Sequence, residues 1–230
     1  MNRLRITLAV ASCIAIAAPA TDAATIIKLG FSTDSLPDIE MLDNELSTFD
    51  DDFGATIGDQ NTEVTFLDVL SGTISIEGDR ASFTLSGVNL TDAPPAIIGS
   101  TLVQGTTGGN FVLYDPQNEI LLSGTLGSGT LSGPFGGTAT GGFLTTEFGS
   151  FTGGSLLSIL DNAGQTNSSV SISLTNVNDG RGLSVTSDDK LAPFTADATA
   201  NIGALAVPEP SSGLLAAITA LATLIGIRYR

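Results

Sequence analysis

The sequence predicts a mainly β protein whose body is an antiparallel β-sandwich or a barrel-like sheet. Three observations carry this expectation. Apolar and polar residues alternate with a period of two in several segments. Gly, Asn, Asp and Pro cluster between those segments, where tight turns need them. Signs of long helices are few, and many short strands with turn signals between them point to a sandwich or barrel.

Residues 1–24 read as an export signal. Arg3 and Arg5 form a basic start, and Ile6 to Ala18 is an apolar run broken only by Thr7 and Ser12. Small residues follow at Ala18, Ala20, Ala23 and Ala24, so cleavage is expected between Ala20 and Ala24. The run is shorter than the roughly 20 apolar residues of a spanning helix. Cys13 lies inside this segment, so the mature chain carries no cysteine and no disulfide. His and Trp are absent throughout.

Residues 25–206 form the body. Its most acidic stretch, Asp34 to Asp52, holds eight carboxylates in 19 residues. Leu36, Ile39, Leu42, Leu46 and Phe49 recur in it at a spacing that fits one face of a short helix, with Pro37 in the first turn. An acidic loop touching the core is the alternative. Further on, Thr73–Glu77 and Arg80–Leu85 flank Gly78-Asp79, a two-residue hairpin signal. That turn pairs Glu77 with Arg80, Ile76 with Ala81 and Ile74 with Phe83, which puts the apolar side chains on one face.

Phe111–Tyr114 and Glu119–Leu126 are candidate strands joined by Asp115-Pro116-Gln117-Asn118. Ser123 to Gly154 contains 11 glycines in 32 residues, with Leu126, Leu131, Phe135, Phe143, Leu144, Phe148 and Phe151 spread among them. Thin, tightly turning strands and a flexible loop compete here. The spaced aromatics favour strands, because a linker has no use for them. Val170, Ile172 and Leu174 alternate with Ser171, Ser173 and Thr175, and Asn178-Asp179-Gly180 reads as a turn before Leu183 and Val185. Phe194, Ala196, Ala198, Ala200 and Ile202 alternate with Thr195, Asp197, Thr199 and Asn201.

The body has four basic residues, Lys28, Arg80, Arg181 and Lys190, against 22 acidic ones, a formal charge of −18. Such a field repels nucleic acid, which is excluded as a partner, and attracts divalent cations or basic groups. Without His, nucleophilic triads of the Ser-His-Asp or Cys-His kind are excluded, and typical zinc sites go with them. The run Gly127 to Gly133 misses the dinucleotide fingerprint and lacks the lysine of a phosphate loop. A carboxylate-dependent hydrolase remains an alternative because Asp and Glu are plentiful, but no pair stands out. The expectation is a protein that is not an enzyme and needs no cofactor. Calcium is the best candidate metal: Asp50, Asp51, Asp52 and Asp59, with Glu63 nearby, supply hard oxygen donors. Asp188-Asp189 is a weaker candidate that fits turn chemistry.

Residues 207–230 form the tail. Val207-Pro208-Glu209-Pro210 leads into Ser211–Ile227, 17 uncharged residues that span about 25 Å as a helix. Arg228 and Arg230 then act as a membrane stop, and the positive-inside bias leaves the body on the exported side.

At these residues the chain resembles PEP-CTERM proteins, the substrates of exosortases in Gram-negative bacteria. The resemblance rests on about 24 of 230 residues together with the export signal. It implies recognition of Pro208-Glu209-Pro210 by a membrane-embedded exosortase-like processing enzyme. It also implies anchoring in the inner membrane facing the periplasm, later delivery to the cell surface or extracellular matrix, and an association with exopolysaccharide and biofilm. The expected function is a structural or adhesive matrix component, with polysaccharide and the lipid bilayer as partners. A calcium- or glycan-binding module is the alternative.

Overall fold

The computed structural model describes residues 24–31, 36–49, 61–69, 80–136, 141–146, 149–162 and 165–206. Ala23–Ala206 form one compact unit. The strands are β1 (Ala24–Phe31), β2 (Ile39–Leu42), β3 (Glu45–Thr48), β4 (Thr62–Val69), β5 (Arg80–Ser86), β6 (Val88–Asn89), β7 (Ala96–Ile98) and β8 (Thr101–Thr106). They continue as β9 (Gly109–Tyr114), β10 (Ile120–Leu126), β11 (Gly129–Pro134), β12 (Gly142–Thr146), β13 (Gly149–Gly153), β14 (Gln165–Thr175) and β15 (Phe194–Ala206). One short helix, α1 (Leu157–Asn162), precedes β14. The protein is thus mainly β, as the alternation predicts.

All strand pairs are antiparallel, in the order β6-β3-β2-β15-β1-β4-β5-β9-β10-β13-β14-β12-β11-β8-β7, and β14 also pairs with β15. Several neighbours in sequence are two halves of one interrupted strand. β9 and β8 pair with β10 and β11 in a single register, from Leu122↔Leu113 through Leu126↔Gly109 to Gly129↔Thr106 and Pro134↔Thr101. β10 and β11 pair in the same way with β13 and β12. The path of pairings from β15 through β1, β4, β5, β9, β10, β13 and β14 returns to β15.

Where a strand is interrupted, its neighbour loses ladder partners, and a buried backbone group without a partner is costly. Three buried side chains meet this need. Thr146 Oγ1 accepts from Val170 N and donates to Val170 O, both at 3.0 Å, in the gap between β12 and β13. Thr48 Oγ1 accepts from Leu85 N at 3.0 Å and donates to Leu85 O at 3.4 Å, at the end of β3. Asp38 Oδ2 accepts from Ala198 N at 2.6 Å, between the segments of β15 that pair with β1 and with β2. Glycine serves the same interruptions by close approach. A Cβ on Gly149 would collide with the Thr125 carbonyl oxygen, and one on Gly109 would lie 2.7 Å from Ser86 O.

The inward face is apolar. Phe83, Leu85, Phe111, Leu113, Leu131, Leu144, Ile172, Ala200 and Ile202 are fully or almost fully buried. Four phenyl rings run across it. Phe31 meets Phe83 edge-on at 5.7 Å, Phe83 stacks on Phe111 at 6.3 Å, and Phe111 meets Phe151 edge-on at 6.4 Å. Each such pair adds about 0.5–1.5 kcal/mol beyond the area it buries.

Several expectations are met. The described residues of the Gly-rich stretch form β10 to β13 rather than a flexible loop. β14 and β15 follow the predicted alternation. The loop after Tyr114 is closed by Asp115 Oδ1, which accepts from Gln117 N at 2.9 Å and Glu119 N at 2.8 Å. Asn178, Asp179 and Gly180 all have positive φ, as their turn requires.

Two expectations are corrected. The acidic stretch is neither a helix nor a loop over Ile39–Thr48 but the β2–β3 hairpin. Asp43 and Asn44 take φ of 50° and 69°, the geometry of a tight two-residue turn, so Ile39 and Met41 point inward while Leu42 is exposed. In the second, the Gly78-Asp79 turn and Thr73–Glu77 lie outside the described residues, but the proposed pair of Ile74 with Phe83 does not form. Both sheet neighbours of Phe83 are filled, by Thr62 of β4 and Leu113 of β9. Local hairpin chemistry at residues 78–79 gives no sign of these two longer-range partners.

Phe83→Ala is expected to cost about 3–5 kcal/mol in urea unfolding, whereas Phe143→Ala, on a 41% exposed ring, costs less than about 1 kcal/mol. Thr146→Val is expected to cost about 1–3 kcal/mol, because Val170 N–H and C=O lose the Thr146 hydroxyl as their partner at the gap. Thr145→Val, one residue away and exposed, stays within about 0.5 kcal/mol. Equal losses at Thr145 and Thr146 would refute the gap-closing role.

Candidate functional site

The outward side of β11, β12, β14 and β15 carries small polar groups. Register places Ser132, Phe143, Ser173 and Thr199 in one row, and Thr130, Thr145, Ser171 and Asn201 in the next. Leu131, Leu144, Val170, Ile172 and Leu174 face inward, and Phe143, 41% exposed, shares the outward side with the hydroxyls. Asp197 is the only charged residue on these four strands.

A cleft of about 530 Å³ opens where three turns meet: the Asp43-Asn44 turn, the loop before β7 and the loop before Leu191. Asp43, Asp92, Asp188 and Asp189 bring carboxylates to it, and Lys190 a single ammonium. Asp189 takes φ of 57° in a turn closed by Thr186 N donating to Lys190 O at 2.7 Å and by Lys190 N donating to Thr186 Oγ1 at 3.3 Å. The cleft also borders Pro94, Pro95 and Leu191.

Gln104 also lines the cleft, although only 2% of its surface is exposed. It sits on β8, where the alternation turns it inward with Leu102 and Thr106. Its Nε2 lies within 3.1–3.2 Å of four acceptors: Thr91 O, Thr91 Oγ1, Ala93 O and Gly105 O. Three of these are carbonyls, which only accept, so the amide nitrogen is fixed on that side. Among the described residues no donor reaches Oε1.

Of the residues singled out in the sequence, Asp50, Asp51, Asp52 and Asp59 lie outside the described residues. So do Val207, Pro208, Glu209, Pro210, Arg228 and Arg230. Glu63 is described and forms an ion pair with Arg80 at 3.1 Å, on the rim of β4 and β5. Asp188 and Asp189 sit in a turn, as their weaker reading had it, and that turn borders the cleft. Among the described residues no three carboxylates, Cys or His converge as metal ligands, and no helix is long and apolar enough to cross a membrane. Asp43, Asn44, Asp92 and Gln104 were not legible as a group. They are 61 positions apart at the extremes, and only strand pairing brings them together.

Comparison with protein-family models, curated proteins and solved structures finds no match to this chain.

Gln104→Leu is expected to destabilise the fold by about 1–3 kcal/mol in urea unfolding, because Thr91 O and Ala93 O lose their donor. Limited proteolysis should then cut first in the loop at residues 91–95. Cleavage starting elsewhere would show that Gln104 does not hold this loop.

Proposed function

We propose that the chain is an exported surface or matrix protein, sorted by its tail and built around a closed eight-stranded antiparallel barrel. The observation that carries the sorting reading is the order of the sequence: an export signal, an acidic body, Val207-Pro208-Glu209-Pro210, an uncharged segment and a basic end at Arg228 and Arg230. Two prolines keep the motif extended and present Glu209 next to the membrane-directed segment. An exosortase-like enzyme is the proposed partner that reads it.

The barrel reading is supported by the circuit of pairings that ends with β14 beside β15. The structural role is supported by the outward hydroxyl rows and by the charge of the body. A water-facing, strongly anionic exterior keeps the molecule soluble at the surface and lets it hydrogen-bond to hydrated polysaccharide. A structural or adhesive element of an exopolysaccharide layer fits these properties and needs no reaction centre.

Glu209→Ala and Pro210→Ala are each expected to leave a full-length precursor in the membrane fraction of the native host. Immunoblots of membrane and extracellular fractions measure this. Unaltered processing of both variants would remove the sorting reading.

A further inference from the structure

We propose that the end of β15 is a lock on tail processing: the processing enzyme takes hold of Pro208-Glu209-Pro210 only after residues 203–206 peel away from β1 and β14. The lock rests on the sorting reading and gives it a point of control. Strand β15 runs to Ala206, and Pro208 follows after one residue, Val207. That residue supplies at most about 3.6 Å of chain. Gly203 and Ala204 are paired on both edges, with Thr25 and Ala24 of β1 and with Ser169 and Ser168 of β14. Leu205 and Ala206 pair with Asn167 and Gln165 of β14. Neighbouring strands lie about 4.8 Å away in a sheet, so no binding groove can close around Gly203 and Ala204 while the ladder holds.

An enzyme that reads an extended peptide gains affinity from main-chain hydrogen bonds. Proline has no N–H, so within residues 207–210 only Val207 and Glu209 can donate. The nearest upstream backbone groups belong to residues 203–206, and strand pairing already engages them. The same end is built to separate. The register with β1 shifts between Thr25 and Ile27, and the register with β14 shifts between Gln165 and Asn167. Such irregularities disrupt the ladder locally. Beyond the first of them, β1 and β15 pair continuously from Ile27↔Ile202 to Gly30↔Thr199. Peeling back to Gly203 therefore leaves Ile202, fully buried, and the core behind it in place. The step under control is engagement of the motif, before any bond is cut.

Pulse-chase immunoblots of the full chain in its native host measure the rate of processing. Inserting Gly-Ser-Gly-Ser between Ala206 and Val207 should speed it about threefold or more, because the motif no longer waits for the strand to open. The staple Ser168→Cys/Ala204→Cys joins residues that face each other across the ladder and should slow processing about tenfold, with recovery in dithiothreitol. Cys13, in the export signal, is the chain's only other cysteine. Ser173→Cys/Thr199→Cys staples the same two strands away from the end and should leave the rate unchanged. An unchanged rate with the insertion or with the end staple overturns the lock, and so does equal slowing by both staples. Glu209→Ala and Pro210→Ala separate the lock from the reading beneath it. If they block processing while the insertion and the end staple change nothing, the lock alone fails. If processing is unaltered in both, the sorting reading fails and takes the lock with it.

Discussion

Backbone hydrogen bonding across the interruptions in the strands is the constraint on which the rest depends. Several strands of this sheet are interrupted, and each break strands a buried N–H or C=O. Thr48, Thr146 and Asp38 close such gaps from the side. Each belongs to a strand end or loop and reaches a residue within a neighbouring strand: Leu85, Val170 and Ala198. The pairs are separated by 37, 24 and 160 positions. The register therefore continues past each break instead of slipping, and a slip by one residue would turn the apolar face toward water.

That register explains how residues 24–206, which contain no cysteine, hold together. The inward positions stack Phe31, Phe83, Phe111 and Phe151 across β1, β5, β9 and β13. The outward positions become Ser and Thr. Glycines fall where two backbones approach too closely for a side chain, as at Gly109 and Gly149. The same composition that makes Ser123 to Gly154 look like a linker is what lets strands run close together there.

The cleft arises at the end of this sheet for a related reason. Tight turns use Asp and Asn because these residues tolerate positive φ and hydrogen-bond their own backbone. Asp43, Asn44 and Asp189 adopt that geometry. Turns gathered at one end of an antiparallel sheet thus concentrate carboxylates and amides there. Gln104 is different: it is a strand residue at an inward position, and its amide ties the loop at Thr91 and Ala93 to the sheet.

The sequence by itself determined the strand-rich body, the facing of β14 and β15, and the turns at Asp115 and Asn178. Those features are local, set by period-two alternation, turn chemistry or a run of like residues. The acidic stretch misled because a spacing of three and four can coincide with a hairpin when its turn falls at Asp43-Asn44. The Ile74–Phe83 pair misled because a turn signal fixes only its nearest neighbours. Tertiary structure alone decided which strands flank β5, which hydroxyls close the gaps and which acids share a cleft. Those outcomes depend on contacts between residues far apart in the chain, whose strength comes from burial and from partners that no local pattern records.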